Sequence, residues 1–331
     1  MKLEMLDRHR DDLRVGLLHA LHGDDEARHA ARAYLGLETT RGALIDAMEP
    51  PLRAGLLVFV AEELGAHVSE AIPAAVALEL LRAASDLHAE IAGEPTTVRR
   101  RPAAASHTEA AVAIHAGDVM IPAALETVLR TSTDVLPCLL DAWRDSLDGR
   151  ATRRSFGSRW PALSELRALI QLETAAGFRA ACEMGGILAH APAETLRRLA
   201  SFGEGLGMAW GIREDLLGVW GDPEDAQRPP AAHLRARAHG YPLIAAYDTG
   251  TESDRRTLER ATKGEPSDAD IDRILGILER LAIRAETENR IREQLRETAQ
   301  HVPYVPFSES ALQTLTDLFD RLSTFAASNE A

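Results

Sequence analysis

Glu214 and Asp215 stand side by side in the middle of an otherwise apolar run, GLGMAWGIREDLLGVWGD, that begins at Gly205. Leu206, Trp210 and Leu217, with Ile212 and Val219 beside them, recur at helical spacing. Two adjacent carboxylates on such a helix are costly to bury without a cation; the alternative is that they lie on a solvated side. Arg213 directly precedes them. A second acidic pair, Asp86 and Glu90, has a spacing of one helical turn, so both side chains project from one face. Together with Glu94 they form a candidate metal site. Equally, Glu79, Arg82, Asp86 and Glu90 form a polar stripe held by i,i+3 and i,i+4 ion pairs. Arg99, Arg100 and Arg101 supply positive charge just beyond.

The elements that must position these groups read as helices throughout. The 331 residues are 45% hydrophobic, poor in aromatics and rich in the helix formers Ala, Leu, Glu and Arg. No run alternates apolar and polar residues long enough to suggest a sheet. The expectation is one all-α domain over residues 1–331. Helices are expected over 52–65, Ile72–Ile91, 123–147 and 162–190, and through the Gly205 run to a stop at Gly221, Asp222 and Pro223. Residues 92–109 and the Arg-rich stretch GRATRRSFGSRWP, from Gly149 to Pro161, read as loops, and residues 266–331 as closing helices. A net charge of −14 argues against a nucleic-acid partner. Cys138 and Cys182 read as reduced core residues. The charged N-terminus lacks a signal-peptide pattern, and no apolar stretch is read as a membrane span, which places the chain in the cytoplasm.

Several of these stretches, in order, resemble landmarks of the trans-isoprenyl diphosphate synthase (polyprenyl synthetase) family. GIREDLLGVWGD resembles the second aspartate-rich motif, QIRDDxxDxxGD, with Glu214 and Asp215 at the first two carboxylates and Gly218 at the third. LLRAASDLHAEIAGE resembles the first, LLHTASLIHDDIMDxD. Here His88 is kept, the aspartates fall on Ala89, Glu90 and Gly93, and the family's diphosphate-binding His falls on Arg82. The family's GGKRLRP places its Lys and Arg on Pro50 and Pro51, beside Glu49. Arg99 and Arg100 match the two arginines of LRRGxP, and HAGD at 115–118 resembles LAGD. The Gln and Asp of GQxxD fall on Arg150 and Arg153, and a substrate-binding Lys falls on Glu173. Past the central run a basic residue is lost, with Arg228 and His233 standing nearby.

The resemblance implies an all-α isoprenoid-synthase bundle around a deep central cavity, Mg²⁺ as cofactor, a prenyl diphosphate as substrate, and a homodimer. The isopentenyl diphosphate pocket is the part most fully dismantled. The implied activity is therefore that of a terpene synthase or unusual prenyltransferase, which ionises one allylic diphosphate of C15–C20 or longer without elongating it. In that reading Asp86, Glu90, Glu214 and Asp215 hold Mg²⁺, and Arg99, Arg100 and Arg213 neutralise the diphosphate. Phe178, Phe202 and Trp210 are candidates to face the carbocation, although each is equally ordinary core. Ala84 and Ser85, at the positions that floor the family's cavity, are small and favour a twenty-carbon over a ten-carbon chain. The alternative is a catalytically silent subunit that modulates an active prenyl diphosphate synthase in a heterodimer; a third reading is simple elongation.

Overall fold

The computed structural model describes residues 5, 8–39, 41–45, 47–48, 51–92, 109–156, 159–221, 231–236, 239–264 and 266–325. Their order is α1 Arg10–Ala20, α2 Glu26–Tyr34, α3 Leu52–Glu63, α4 Val68–Ile91, α5 Ala110–Leu129, α6 Leu136–Phe156, α7 Leu163–Ile170, α8 Ala176–Leu188, α9 Ala193–Trp220, α10 Ala232–Arg235, α11 Tyr241–Thr249, α12 Glu252–Ala261, α13 Asp268–Arg280, α14 Ile283–Ala299 and α15 Glu309–Ser323. Among the described residues there is no strand, only one isolated bridge between Glu38 and Leu44. The fold is the all-α bundle that the sequence leads one to expect.

Four helices make the centre. From Ala54 to Ala61 α3 is apolar all round, and these residues and Leu52 are buried, as suits a helix segment enclosed on all sides. It packs against α4 and α8, and α8 packs in turn against α9. The approach of α8 to α9 is set by glycines. A Cβ on Gly203 would lie 2.9 Å from Arg179 Cα, and one on Gly207 would lie 2.5 Å from Ala175 Cα. Their spacing of one turn puts both on the same face of α9, so the two backbones meet with nothing between them. The outer helices are capped locally. Asp25, Thr251, Ser267 and Ser308 each accept a backbone N–H at the start of α2, α12, α13 and α15.

The structure departs from expectation in three places. The helix expected over 123–147 is broken: α5 ends at Leu129 and α6 starts at Leu136. Between them Thr131 Oγ1 bonds back to Thr127 O at 2.9 Å and Ser132 is extended (φ −138°), an instance of hydroxyls competing with the helix for backbone groups. Residues 149–156, expected as a loop, are the last two turns of α6, since Arg and Ala favour helix and Arg150 and Arg153 are pinned by acidic partners described below. Finally, α5 is 20 residues long and apolar enough, by length and composition, to cross a membrane, where no such stretch was anticipated. In the bundle it packs on α2 and α4, while Ile114 and Leu129 face outward.

The close approach of α8 and α9 makes a stability prediction. Gly203→Ala must push a methyl group into the α8 backbone, and overpacking of this kind costs ~1–3 kcal/mol. Urea unfolding of the variant is expected to show that loss; an unchanged midpoint would mean that the two helices separate without cost.

Candidate active site

The site is built where α3, α4, α6, α8 and α9 converge. α4 carries Glu79, Arg82 and Asp86 along one face. The Arg82 guanidinium donates to both Glu79 oxygens, with Nε to Oε2 at 3.0 Å, and also to Asp86 Oδ2. Asp86 Oδ1 accepts from Arg150 Nη2 of α6 at 2.5 Å. Asp86 is buried at 7% exposure, so its charge has to be compensated within the protein. Its two carboxylate neighbours hold Arg82 firmly protonated against the opposing effect of burial. Glu90, one turn on, accepts the Tyr34 hydroxyl of α2 at 3.0 Å. The ion-paired stripe is present at Glu79, Arg82 and Asp86, where Asp86 gives an oxygen to each of two guanidiniums, while Glu90 is hydrogen-bonded to Tyr34 of α2. Arg99, Arg100, Gly93, Glu94, Glu49 and Pro50 lie outside the described residues.

Arg53 stands between the two acidic motifs. It is half-buried, and its Nε is buried with no hydrogen-bond partner among the described residues. Burial, with Arg82 nearby, pushes its pKa down to about 10, against the pull of Asp86, Glu79 and Glu214. Carboxylates of both motifs therefore act on one guanidinium. Arg53 Cζ also sits 4.9 Å from the centroid of Phe178, a cation–π contact, and Phe178 lies 6.0 Å from Trp210, their rings tilted by 40°. Phe202 packs instead on Phe319 of α15 and belongs to the core. Sequence reasoning misses Arg53, which lies two residues beyond Pro51.

The positions where the resembling family has a carboxylate and a lysine carry Arg153 and Glu173, the opposite order of charges. They form a forked pair, Nε to Oε1 at 3.0 Å and to Oε2 at 3.1 Å, with Nη2 to Oε2 at 2.5 Å. Glu173 sits in a π-helical turn, Gln171–Ala175, between α7 and α8, a form of helix often found at functional sites. A Cβ on Gly149 would lie 2.6 Å from Glu173 Cγ, so the absence of a side chain there is what lets α6 approach.

On α9, Arg213, Glu214 and Asp215 are all half-buried. Asp215 Oδ2 accepts the Tyr241 N–H at 2.8 Å, at the N-terminus of α11 where such donors lack helical partners. Burial nevertheless pushes the Asp215 carboxyl up to about 6, opposed by the Tyr241 N–H and Arg153 and reinforced by Glu173 and Glu214. His233 of α10 brings Nδ1 to 3.8 Å from Asp215 Oδ1. Two adjacent hard-oxygen donors, one with its charge under-compensated, are of the chemical type that suits a divalent cation; the Asp86 carboxylate is already paired with two arginines. Among the described residues no group of three or more His, Cys, Asp or Glu forms a ready-made metal site.

Ala84 and Ser85 are buried. Ser85 Oγ donates to Leu81 O at 3.0 Å and accepts the Trp143 indole N–H at 3.1 Å. An indole from α6 thus packs beside the two small residues, a neighbour that the local sequence did not disclose.

A family model described as Polyprenyl synthetase matches residues 47–278. A (2E,6E)-farnesyl diphosphate synthase of Mycobacterium bovis is 31% identical over 239 residues, 70% of this chain and 67% of that protein. The crystal structure of a polyprenyl synthetase from Streptomyces coelicolor superposes with a TM-score of 0.85 at 26% identity, covering 96% of this chain and 98% of that one. A geranylgeranyl pyrophosphate synthase from Corynebacterium glutamicum, complexed with isoprenyl diphosphate and magnesium, has a TM-score of 0.80 at 20% identity, covering 98% and 99% of the two chains.

Two predictions follow from the charges. Asp86→Asn leaves Arg82 and Arg150 short of a counter-ion and is expected to cost roughly 3–5 kcal/mol in urea unfolding while leaving Mg²⁺ affinity unchanged. The reverse pattern, full stability with weakened Mg²⁺ binding, would make Asp86 a metal ligand. For Asp215, the folded-state pKa of about 6 lies above the usual carboxylate value of 3.8. At pH below the usual value both folded and unfolded states hold the proton. Between the two values only the folded state does, so metal-free stability falls as pH rises through that window and levels off above it, by about 3 kcal/mol at most. Asp215→Asn should flatten the fall.

Proposed function

The chain belongs to the polyprenyl synthetase family, and from that premise we propose that it ionises a single allylic prenyl diphosphate, of C15–C20 or longer, without adding isopentenyl diphosphate. The observation that carries this reading is the use made of Arg82. It stands where the family has a histidine for isopentenyl diphosphate, and its guanidinium is committed to Glu79 and Asp86. The neighbouring end of α3 has Pro51 at its N-cap, which offers no N–H and no charge. Elongation needs two substrates held in register, whereas ionisation needs one anion site and a stabilised leaving group. Relatives of this chain are named farnesyl and geranylgeranyl diphosphate synthases, so the proposal rests on these substitutions.

In this reading Glu214 and Asp215 hold a divalent cation, as suits a fold whose Corynebacterium glutamicum neighbour is complexed with magnesium. When bound, such an ion supplies Lewis-acid stabilisation to the diphosphate oxygens. Arg53 and Arg213, joined by Arg99 and Arg100, neutralise the diphosphate as the allylic C–O bond breaks and both electrons leave with oxygen. Phe178 and Trp210 present their rings to the cation that remains. The cation then loses a proton, closes a ring or meets an acceptor. Ala84 and Ser85, with Trp143 beside them, bound the tail. The apolar outer side of α5, with Ile114 and Leu129, suits a second copy of the chain in a homodimer.

The test is to incubate the purified protein with prenyl diphosphates of several lengths, with and without Mg²⁺ and isopentenyl diphosphate. The expected outcome is Mg²⁺-dependent release of pyrophosphate with a hydrocarbon or alcohol product, and no consumption of isopentenyl diphosphate. A longer prenyl diphosphate as main product would overturn the proposal. An inert protein that changes the output of an active synthase would favour the silent-subunit reading, for which the charge-paired Asp86 and Glu173 also speak.

A further inference from the structure

We propose that Trp143 of α6 sets the length of the prenyl tail, stopping it after three isoprene units, so that the chain takes a fifteen-carbon diphosphate and excludes a twenty-carbon one. This deepens the reading above and rests on it, since it needs a prenyl tail lying along α4 beneath the charged groups. α4 and α6 are bonded twice. Asp86 Oδ1 accepts from Arg150 Nη2 at 2.5 Å, and Ser85 Oγ accepts from Trp143 Nε1 at 3.1 Å. The two acceptors are consecutive on α4, whereas the two donors are seven residues apart on α6. The donors therefore share a face and lie two turns, ~10 Å, from each other along the helix axis. Arg150 marks the charged end of that face. Trp143 marks its apolar end: the ring packs on the core, and Leu139, one turn before it, is buried.

The indole takes the room that small residues leave on α4. Ser85 is itself held, because its hydroxyl proton goes to Leu81 O at 3.0 Å, and its oxygen is then left to accept the indole N–H. An indole has no other donor, and a half-buried one loses stability without a partner. The orientation of the ring is thus fixed from α4. A bulky residue at 85 would exclude the ring, and alanine would admit it without holding it. The stop that the resembling family builds on α4 is built here on α6. At ~1.3 Å of advance per extended carbon–carbon bond, a geranyl tail spans ~9 Å, a farnesyl tail ~14 Å and a geranylgeranyl tail ~19 Å. Measured from the charged end at Arg150, the first ends short of the indole and the second ends against it. The third is seated only if the ring gives way, which breaks its bond to Ser85 and overpacks the site.

The probes are the unreactive geranyl, farnesyl and geranylgeranyl thiolodiphosphates, titrated calorimetrically into the full-length protein with and without Mg²⁺. The unsubstituted protein is expected to bind the farnesyl compound about tenfold or more tightly than the geranylgeranyl one. In Trp143→Ala the geranylgeranyl affinity should rise by about tenfold or more, while the geranyl affinity hardly changes, because that tail ends short of the ring. Trp143→Leu, which keeps an apolar side chain, should show the same reversal in smaller measure and serves if the alanine variant does not fold. Ser85→Ala releases the ring without removing it and should raise geranylgeranyl affinity by less than Trp143→Ala does. Contact is read separately by ¹⁹F resonance with 5-fluorotryptophan at the four tryptophan positions. The signal lost in Trp143→Phe should shift with the farnesyl compound and stay in place with the geranyl one. Prenyl binding whose length preference is the same in the Trp143 variants, or that leaves this signal unmoved by the farnesyl compound, would overturn the inference and leave the substrate reading standing. Failure of all three compounds to bind, with or without Mg²⁺, would remove that reading and the inference with it.

Discussion

A carboxylate withdrawn from water must find its counter-charge inside the protein, and Asp86 finds it twice. Arg82 and Arg150 take one oxygen each, and Arg82 reaches back to both oxygens of Glu79. This closed set of charges joins α4 to α6 across the site. It also fixes what the site can still do. The arginine and aspartate nearest the first motif are committed to one another, whereas Arg53 stands within the influence of both acidic motifs. The more open end lies at α9, where Asp215 accepts the Tyr241 N–H and has His233 nearby, yet burial still raises its carboxyl.

The same economy governs Arg153 and Glu173. Each carries the charge opposite to the one the family places at its position, yet the forked geometry between them is well made. Either substitution alone would bury an unpaired charge or set like charges together, and both are costly. The two positions are best understood as having changed together, keeping the contact between α6 and the π turn while altering the potential that a substrate meets.

Helical class and element order were legible in the sequence because the apolar spacing of α3, α4 and α9 is regular and long. The stop at Gly221 was legible as well. The break at Thr131 and Ser132 was not, because it arises from hydroxyls folding back onto the backbone and leaves the apolar pattern intact. The last turns of α6 were mistaken for a loop, since a run of arginines reads as solvated until its acidic partners, far away in the chain, are known. For Asp86, spacing alone left a metal site and an ion-paired stripe both open. Arg150, distant in sequence from Asp86, completes the pairing, and no local pattern points to it. Arg53 was adjacent to residues that drew attention for their losses and was itself overlooked. His233 was visible only as a nearby basic residue, since its contacts with Asp215 and Gly218 arise from the fold.

The π turn at Gln171–Ala175 carries one more consequence. Each residue added to a helix advances it by about 100°, so a single extra residue rotates everything downstream relative to everything upstream. α7 and α8 are continuous along their axis yet out of phase: α7 turns toward α11, while α8 turns toward α3. One polypeptide rod thereby serves two different neighbours, and the point where its phase changes is where Glu173 emerges. Charge placement and helical phase are consequently set by the same five residues. A lineage that lost one of them would change which surfaces of the bundle meet before it changed any side chain in the site.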